Sequence, residues 1–433
     1  MPIWNRRYER MERDELEQLQ LERLQLTVNR VYRNVPFYHK RFSQIGIVPE
    51  DIMSLGDISK LPFTTKDDLR DGYPYELFAV PLREIVRIHS SSGTASRPIV
   101  LGYTRDDLKH WAELVARVLS AAGLTKDDVV QIAFEYGLFT GGFGMHCGAE
   151  RLGASVIPIS SGNTERQVQI MEDFRSTALV GTPSYALYMI EVMDRMGVSP
   201  AGLSLRAGLF GGEPMSDNTR AKIESSLEVV ATDNYGVSAV MGPGIAGECE
   251  LKSGLHVNED HFLIEIIDPV TFEVLPEGRE GELVITTLTK EGLPMIRYRT
   301  RDITSITREP CRCGRTTLRI APIMKRTDDM IIIRGVNVYP HEVERLLYDI
   351  EHVEPRYQIV LDREGGLDHL TLNIELAGHM ISDQMLKLVE LEEDIRRRVH
   401  GALGITPKVR LVEPKTLQSI GPKDRVVDNR ERS

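Results

Sequence analysis

The spacing of apolar and polar residues predicts a large α/β domain over most of the chain. Residues 10–33 place leucines and valines among Glu, Gln and Arg at helical intervals, which predicts an amphipathic helix packed on the main body. From about Ile85 to Asp302, short β-rich runs alternate with helical stretches, and this alternation predicts a mixed or parallel sheet covered by helices. The runs include Val129–Phe134, Ser155–Ile159 and Ala178–Gly181, and the helical stretches include Thr104–Ala122 and Thr164–Phe174.

The pattern changes after about residue 260. Short β segments joined by Gly/Pro turns predict an antiparallel subdomain, at His261–Ile267, Glu282–Thr286 and Thr304–Thr307. A boundary near Asp328 is followed by segments in the order β-α-β-β-α-β, which predicts a small α+β lid. The expected fold class is therefore α/β. It combines a large N-terminal domain of mixed sheets, helices and a β subdomain (1–327) with a small mobile α+β C-terminal lid (328–433).

Composition is that of a soluble globular enzyme with more than one domain. The chain has 433 residues, and 53 basic against 64 acidic side chains give a net charge of −11. This balance argues against a broad nucleic-acid surface but leaves room for a local basic cleft that binds a polyphosphate. No apolar run approaches the roughly 20 residues of a membrane span, and the N-terminus has no signal-peptide core. We expect a cytoplasmic enzyme that binds neither nucleic acid nor membrane.

The most informative short run is Ser-Ser-Ser-Gly-Thr-Ala-Ser-Arg-Pro at 90–98, between two β-like segments. Consecutive hydroxyls around a glycine suit a turn that wraps phosphate oxygens, and Arg97 would add charge-assisted contacts. Taken alone, the same residues fit a Ser/Gly surface turn equally well.

This loop resembles that of the adenylate-forming superfamily, and the surrounding sequence is similar to the phenylacetate–CoA ligases in particular. The similar motifs occur in the family's order and are Tyr136–Gly142, Gly148–Ala154, Thr287–Lys290, Arg297–Asp302 and Arg334–Pro340. The resemblance runs from about Arg6 to Arg430. It implies an adenylate-forming domain with a lid, and the cofactors ATP or AMP, Mg²⁺ and coenzyme A. It also implies a homodimer.

The resemblance assigns phosphate and adenine contacts to particular residues. The phosphate loop residues are Ser91, Ser92, Gly93, Thr94 and Arg97. The segment along the adenine face is Gly212, Glu213 and Pro214, where a base can approach the backbone closely. Asp233 matches the acceptor of the adenine amino group. Tyr235, Gly236 and Ser238 match the segment that stacks on adenine and places a hydroxyl near the α-phosphate.

The resemblance also assigns the ribose contacts and the moving parts. Asp302 matches the carboxylate that accepts two hydrogen bonds from the ribose diol, and Arg326 matches a basic contact to ribose or phosphate. Asp328 falls where the family places its hinge. Near the C-terminus, Lys423 is the candidate catalytic lysine that stabilises charge on the carboxylate and the α-phosphate.

Four positions depart from the family pattern. Ala95 and Ser96 stand where relatives usually have Thr and Gly, and Pro422 stands where aligning on Arg425 puts the family lysine. Ala239 takes the place of a glutamate that helps to hold Mg²⁺ in relatives. Mg²⁺ often keeps several waters and few protein ligands, so the ATP phosphates can carry it without that carboxylate. Either the site is retuned, or adenylation is slow or lost.

Cys249, His256, Cys311 and Cys313 form a candidate Cys₃His metal set. Cys311-Arg312-Cys313-Gly314 has the form of the tight turns that bind zinc, and four N/S ligands would make a closed structural Zn²⁺ site. The alternative is a group of buried or loop cysteines in a reducing cell.

The acid substrate is expected near the 136–142 segment. Tyr136 and Phe139 can wall an aromatic ring, while Gly141 leaves room beside them. Both aromatics fit the protein core equally well. An aryl acid such as phenylacetate is the first candidate.

The leading interpretation is an ATP-dependent, AMP-forming acid:CoA ligase that makes an acyl adenylate from a small carboxylic acid and passes the acyl group to coenzyme A. Two alternatives stay open. The first is an adenylyltransferase of the same family that acts on a hydroxyl acceptor without CoA. The second is a degenerate nucleotide- or acyl-binding homologue, which Ala95, Ala239 and Pro422 would explain.

Overall fold

The computed structural model describes residues 2–90, 98–327, 331–333, 336–338, 340–348, 350, 352–364, 367–377, 385–403, 405–417 and 425–429. The chain divides into two compact units, Met1–Met324 and Lys325–Ser433. The sequence places the boundary near Asp328, which lies outside the described residues.

Helices at the N-terminus pack on the first unit. They are α1 (Arg6–Glu9), α2 (Arg13–Asn34), α3 (Pro36–Gln44) and α4 (Lys66–Asp71). The predicted helix over 10–33 is thus α2, and its buried residues Leu16, Leu24 and Val28 recur at i, i+8 and i+12 on one face. This face explains why the helix packs on the main body.

A nine-stranded mixed sheet forms the centre of the first unit. Its order is β13-β14-β9-β8-β7-β6-β5-β3-β4, and a separate hairpin of β1 and β2 precedes it in the chain. The strands are β1 (Arg87–Ser90), β2 (Val100–Tyr103), β3 (Val129–Ile132), β4 (Ser155–Ile157), β5 (Ala178–Gly181), β6 (Ala207–Gly211), β7 (Val230–Val237), β8 (Gly242–Glu248), β9 (Leu255–Val257), β13 (Ile306–Thr307) and β14 (Arg319–Ile320).

The expected strand–helix alternation is present in this sheet. Strands β3 to β7 are parallel, and the sheet continues through β8, β9, β14 and β13 with antiparallel pairs. The connecting helices are α5 (Arg105–Ala121), α6 (Thr140–Leu152), α7 (Thr164–Asp173), α8 (Pro183–Met196) and α9 (Asp217–Leu227). Strand β5 is buried along its whole length, as its continuous apolar run requires.

The last part of the first unit contains a smaller antiparallel sheet. It contains β10 (Phe262–Ile267), β11 (Gly281–Thr287) and β12 (Tyr298–Thr304) in that order. Buried ion pairs fix its interior: Arg297 Nη2 lies 2.9 Å from Glu265 Oε1, and Arg299 Nη2 lies 2.6 Å from Glu282 Oε2. Each pair satisfies charges that would be costly to bury singly.

The second unit is an α+β domain with its own core. Its elements are β15 (Lys325–Arg326), β16 (Ile331–Ile333), β17 (Val336–Val338), α10 (Pro340–Tyr348), β18 (Val353–Glu364), β19 (Leu367–Leu376), α11 (Met385–Leu403), β20 (Lys408–Val412) and β21 (Val426–Asp428). The main sheet has the order β20-β19-β18-β21. The fully buried residues of this unit's core include Ile359, Leu372 and Ile395. Strands β17 and β21 were not predicted from the sequence.

Among the described residues, none of the helices is both long and apolar enough to cross a membrane.

Helix α6 packs closely on α5 because two glycines face that helix. A Cβ at Gly148 would lie 2.2 Å from Val115 Cγ1, and one at Gly144 would lie 2.5 Å from the Trp111 ring. Gly148→Ala should therefore lower the free energy of unfolding by about 1–3 kcal/mol through overpacking, measured by denaturant unfolding. Gly202→Ala, where nothing lies within 4 Å of the added Cβ, is the control. Equal stability of the two variants would contradict the packing argument.

Candidate active site

A cleft opens where the parallel strands of the large sheet end. Its cavity has a volume of about 630 Å³. Residues that follow β3, β5 and β6 line it, among them Phe134, Glu135, Phe139, Thr182, Ser184, Gly212 and Glu213. The two strands that follow β3 in sequence, β4 and β5, lie on opposite sides of it. This is the topological switch point at which α/β sheets bind ligands.

The segment predicted to lie along adenine borders this cavity. Gly212 has a φ of +79°, a backbone conformation that favours glycine, and both Gly212 and Glu213 line the cavity. Glu213 Oε2 accepts a hydrogen bond from Ser184 N at 3.3 Å, which ties the ends of β5 and β6 together. Pro214 follows as an exposed residue. The segment can thus present backbone to a flat ring.

Asp233 lies buried on β7, directly opposite Phe210 of β6. Its main-chain NH donates to Glu248 Oε2 at 2.8 Å, and Arg220 binds the same glutamate at 2.5 and 3.1 Å. Burial first, and then the Glu248 carboxylate, raise the pKa of Asp233 to about 8, against the opposing effect of Arg220. At neutral pH the Asp233 side chain is therefore mainly a carboxylic acid, which can both donate and accept a hydrogen bond.

Tyr235 and Asp302, predicted to contact adenine and ribose, are joined by a hydrogen bond. Tyr235 Oη donates to Asp302 Oδ2 at 2.5 Å, and both residues are buried. Tyr235 belongs to β7 of the large sheet and Asp302 to β12 of the small one, so the bond connects the two sheets. A carboxylate in this position can exchange the tyrosine hydroxyl for the hydroxyls of a sugar.

Gly236 and Ser238 lie where β7 turns into β8. A Cβ at Gly236 would lie 2.3 Å from the carbonyl oxygen of Gly242, so this close approach of two backbones requires glycine. The Oγ of Ser238 lies 2.8 Å from Thr140 Oγ1 at the first turn of α6. The structure thus brings the predicted phosphate-proximal hydroxyl to a helix N-terminus, which favours negative charge.

Phe139 lines the cavity, whereas Tyr136 packs on helix α6. The Tyr136 hydroxyl lies 3.1 Å from His146 Nδ1, and its ring meets Phe143 edge-on at 5.3 Å. Burial raises the pKa of Tyr136, so its hydroxyl stays neutral. The Phe139 ring occupies the space beside Gly141, because a Cβ on Gly141 would lie 2.4 Å from that ring. The glycine therefore makes room for Phe139 itself.

The four candidate metal ligands come together, and all four are buried. Their ligand atoms lie within 4.8 Å of one another. Cys249 Sγ is 3.9 Å from Cys311 Sγ, and Cys313 Sγ is 3.4 Å from His256 Nε2. Tetrahedral zinc with Zn–S bonds of about 2.3 Å separates neighbouring sulfurs by about 3.8 Å, so the spacing fits that ion. His256 Nδ1 lies 3.3 Å from Thr317 Oγ1, as a ligand-orienting contact requires.

The cluster does not belong to the smaller antiparallel sheet but lies at the edge of the large one. His256 lies on β9 of the large sheet, and Cys249 directly follows β8. The Cys311–Gly314 turn lies between β13 and β14 at the far edge of the same sheet. The cluster therefore lies at one edge of the large sheet. The chain runs from β12, which carries Asp302, through β13 to the Cys311–Gly314 turn.

Several predicted residues lie in the second unit or outside the described residues. Arg326 lies on β15 at the start of the second unit. Outside the described residues are Ser91, Ser92, Gly93, Thr94, Arg97, Asp328 and Lys423, together with Ala95, Ser96 and Pro422. Ala239 is buried and has no side-chain oxygen that could coordinate a cation.

Sequence reasoning missed the polar lining that follows β3, β4 and β5. Glu135, Ser161, Thr182, Ser184 and Tyr185 all line the cavity. Position was the available signal, since residues just beyond the carboxyl ends of parallel strands meet at one edge of the sheet.

Comparison with known proteins shows which family the chain resembles. Residues 335–430 match the family described as the AMP-binding enzyme C-terminal domain. The chain is 47% identical over 430 residues to the phenylacetate-coenzyme A ligase of Aromatoleum evansii, across 98% of this chain and 96% of that one. Against the Thermus thermophilus phenylacetate-coenzyme A ligase it is 48% identical over 419 residues, 94% of each chain.

A solved structure with the same fold is that of 2-hydroxyisobutyryl-CoA ligase in complex with 2-HIB-AMP. It matches at a TM-score of 0.90 and 31% identity, over 99% of this chain and 93% of that one. The fold is thus that of an adenylate-forming enzyme. The chain belongs to the phenylacetate–CoA ligase family, which confirms the expected fold class and the reaction class of ATP-dependent, AMP-forming acid:CoA ligase.

The raised pKa of Asp233 predicts a pH-dependent stability difference. Between its ordinary pKa of 3.8 and about 8, the folded chain keeps a proton that the unfolded chain releases. The contribution of Asp233 to stability therefore falls as pH rises through this window and is constant above it. The melting temperature of Asp233→Asn should rise relative to that of the native chain from pH 4 to 8, and the difference should stay constant above pH 8.

Thermal unfolding across this pH range measures the effect, with the exposed Asp127→Asn as the control. A melting-temperature difference for Asp233→Asn that does not change with pH would contradict the assignment.

Proposed function

We propose that this ligase activates a small aryl carboxylic acid, with phenylacetate as the first candidate. The observation that carries the proposal is the aromatic-walled cavity at the switch point, lined by Phe134, Phe139 and Tyr185 beside the Gly212–Glu213 backbone. Aromatic walls suit a flat apolar acid. The relatives at 46–48% identity are named as phenylacetate ligases, which supports the same substrate class.

The reaction proceeds in two steps. A carboxylate oxygen attacks the α-phosphorus of ATP, and the bond to pyrophosphate breaks to leave an acyl adenylate. The sulfur of coenzyme A, as thiolate, then attacks the acyl carbonyl carbon, and the bond to AMP breaks. The residues' task in both steps is positioning and electrostatic stabilisation.

The adenine, the ribose and the α-phosphate each have a described residue that suits them. Gly212 and Glu213 border the adenine, and Asp233 as a carboxylic acid accepts from the amino group while donating to a ring nitrogen. Asp302 accepts the ribose hydroxyls in place of Tyr235. Ser238 and the N-terminus of α6 face the α-phosphate. The catalytic lysine Lys423, the basic contact Arg326 and the hinge Asp328 stay predictions from the sequence.

The ATP phosphates and water would supply the ligands of Mg²⁺, because Ala239 has no carboxylate. The cytoplasmic location and the homodimer stay predictions from the sequence.

The first test is pyrophosphate release from ATP and Mg²⁺ with a panel of aryl and short-chain acids, each with and without CoA. The account predicts acid-dependent release, highest with an aryl acid, and thioester only when CoA is present. Release that depends on a hydroxyl acceptor and is indifferent to CoA would instead indicate the adenylyltransferase. ATP binding without release under any condition would indicate a binding homologue.

Asp302→Asn should raise the KM for ATP by roughly 10- to 100-fold, since a charge-assisted pair of hydrogen bonds is weakened. Asp106→Asn, on the exposed surface of α5, is the matched control and should leave the KM unchanged.

We also propose that Cys249, His256, Cys311 and Cys313 hold a structural Zn²⁺, which joins the edge of the large sheet to the 311–314 turn. Purified protein should contain about one zinc per chain by elemental analysis. Cys311→Ser should lose the metal and melt at a lower temperature, while Cys147→Ser should keep it. Metal content near zero in protein produced with added zinc would remove this proposal.

A further inference from the structure

Three buried side chains hold the turn that follows β7. Lys290 Nζ donates to the Val240 carbonyl, Tyr103 Oη to that of Met241, and Trp111 Nε1 to that of Pro243, each at 2.8 Å. We call Tyr103, Trp111 and Lys290 the turn clamp. Its members come from β2, from α5 and from the connection between β11 and β12, so the turn is fixed from three sides.

The members of the turn clamp also pack on one another. The Tyr103 and Trp111 rings stack at 5.0 Å with 13° between their planes. Lys290 Nζ lies 4.3 Å from the centre of the Tyr103 ring, within cation–π range. His89 meets Tyr103 and Trp111 edge-on, and its Nδ1 donates to the Leu138 carbonyl at 3.0 Å. His89 therefore connects the turn clamp to the segment that leads into α6.

Asp107 fixes the backbone on which Lys290 stands. This buried residue of α5 accepts hydrogen bonds from Glu291 N at 2.7 Å and from Gly292 N at 2.9 Å. The position of the Lys290 ammonium is thus set by both its neighbours and its own loop.

An ammonium in this position is costly for stability. Lys290 is fully buried, and burial lowers its pKa to about 8, with Asp107 opposing the shift. A methionine of similar length would fill the space without desolvating a charge. What a methionine lacks is the donor to Val240, so the hydrogen bond to the turn is what the lysine adds.

The clamped turn is the one that shapes the candidate site. Ser238 within it meets Thr140 of α6, and the amides of Val240 and Met241 both donate to the Val237 carbonyl at 3.0 Å. A shift of this turn would displace the hydroxyl of Ser238 from the start of α6.

We infer that Lys290 is a positioning residue for the adenylation step, which it serves by fixing the turn that carries Ser238. The inference rests on the proposed function where it places the α-phosphate near Ser238. Lys290 acts through the turn and needs no contact with the substrate. A displacement of reacting groups by about 1 Å can reduce a rate by about 100-fold.

The test is Lys290→Met, with Lys109→Met on the exposed face of α5 as the matched control. Hydrogen exchange of the intact protein should be about tenfold or more faster at the amides of Val240 and Met241, since a charged hydrogen bond to the turn is lost. Exchange in β5 should be unchanged.

In the same variant, kcat for acid-dependent pyrophosphate release should fall by roughly 10- to 100-fold, while the KM for the acid stays within about threefold. Tyr103→Phe removes only the hydroxyl donor to Met241 and should give the same pattern at smaller size. It also serves if Lys290→Met fails to fold.

Faster exchange in the turn together with a lower kcat supports the inference. Unchanged exchange, or faster exchange with unchanged kcat, overturns it. If the native chain releases no pyrophosphate with any acid, the proposed function fails, and AMP affinity then decides the inference. Weaker AMP binding by Lys290→Met supports the positioning role, and equal binding overturns it.

Discussion

The close approach of two backbones at Gly236 is the constraint on which the candidate site depends. No side chain fits there, because a Cβ would lie 2.3 Å from the Gly242 carbonyl oxygen. The chain can therefore reverse tightly from β7 into β8, and the reversal is where the large sheet changes from parallel to antiparallel. The residue before the glycine, Tyr235, hydrogen-bonds Asp302 of the smaller sheet. The backbone contact thus sets the turn, and the hydrogen bond of the neighbouring Tyr235 joins the two sheets.

Charge in the first unit is arranged so that few groups are buried without a partner. Arg220 binds Glu248, and Arg117 binds Asp260, each through two hydrogen bonds. Asp233 and Lys290 differ from these ion pairs. Burial raises the pKa of Asp233 and lowers that of Lys290, which favours the neutral form of each side chain. Both lie on or against the strand and turn of the candidate site. Perturbed groups gather at functional sites, and here burial is the main cause of each pKa shift, with Glu248 adding to that of Asp233.

Sequence reasoning reached the fold where local pattern decides structure. Strand β5 has the predicted bounds, because four buried apolar residues in a row allow little else. Strand β21 was missed because three residues carry no periodicity, and its pairing with β18 joins positions more than sixty residues apart. The candidate cluster of three cysteines and one histidine was predicted from residue type and from the Cys311–Gly314 turn. Their place at the edge of the large sheet depends on strand order, which the sequence pattern does not contain.

The candidate site was reached less completely. Family resemblance named Gly212, Asp233 and Asp302 as candidates, whereas the hydrogen bond between Tyr235 and Asp302 connects two sheets and follows from tertiary packing. The burial of Lys290 could not be predicted from the sequence, because its motif also fits an exposed loop. Gly141 was interpreted as space for a ligand, yet Phe139 uses that space. Glycine indicates a close approach without indicating what approaches.

The central claim is that Asp302, held by Tyr235 in the free protein, receives the ribose diol of the nucleotide. Calorimetric titration of the native chain with AMP and with 2′,3′-dideoxy-AMP tests it most directly. The two ligands share base and phosphate and differ only in the hydroxyls. The account predicts that AMP binds roughly 10- to 100-fold more tightly, as expected for hydrogen bonds to a charged group. Equal affinity for the two nucleotides would contradict it.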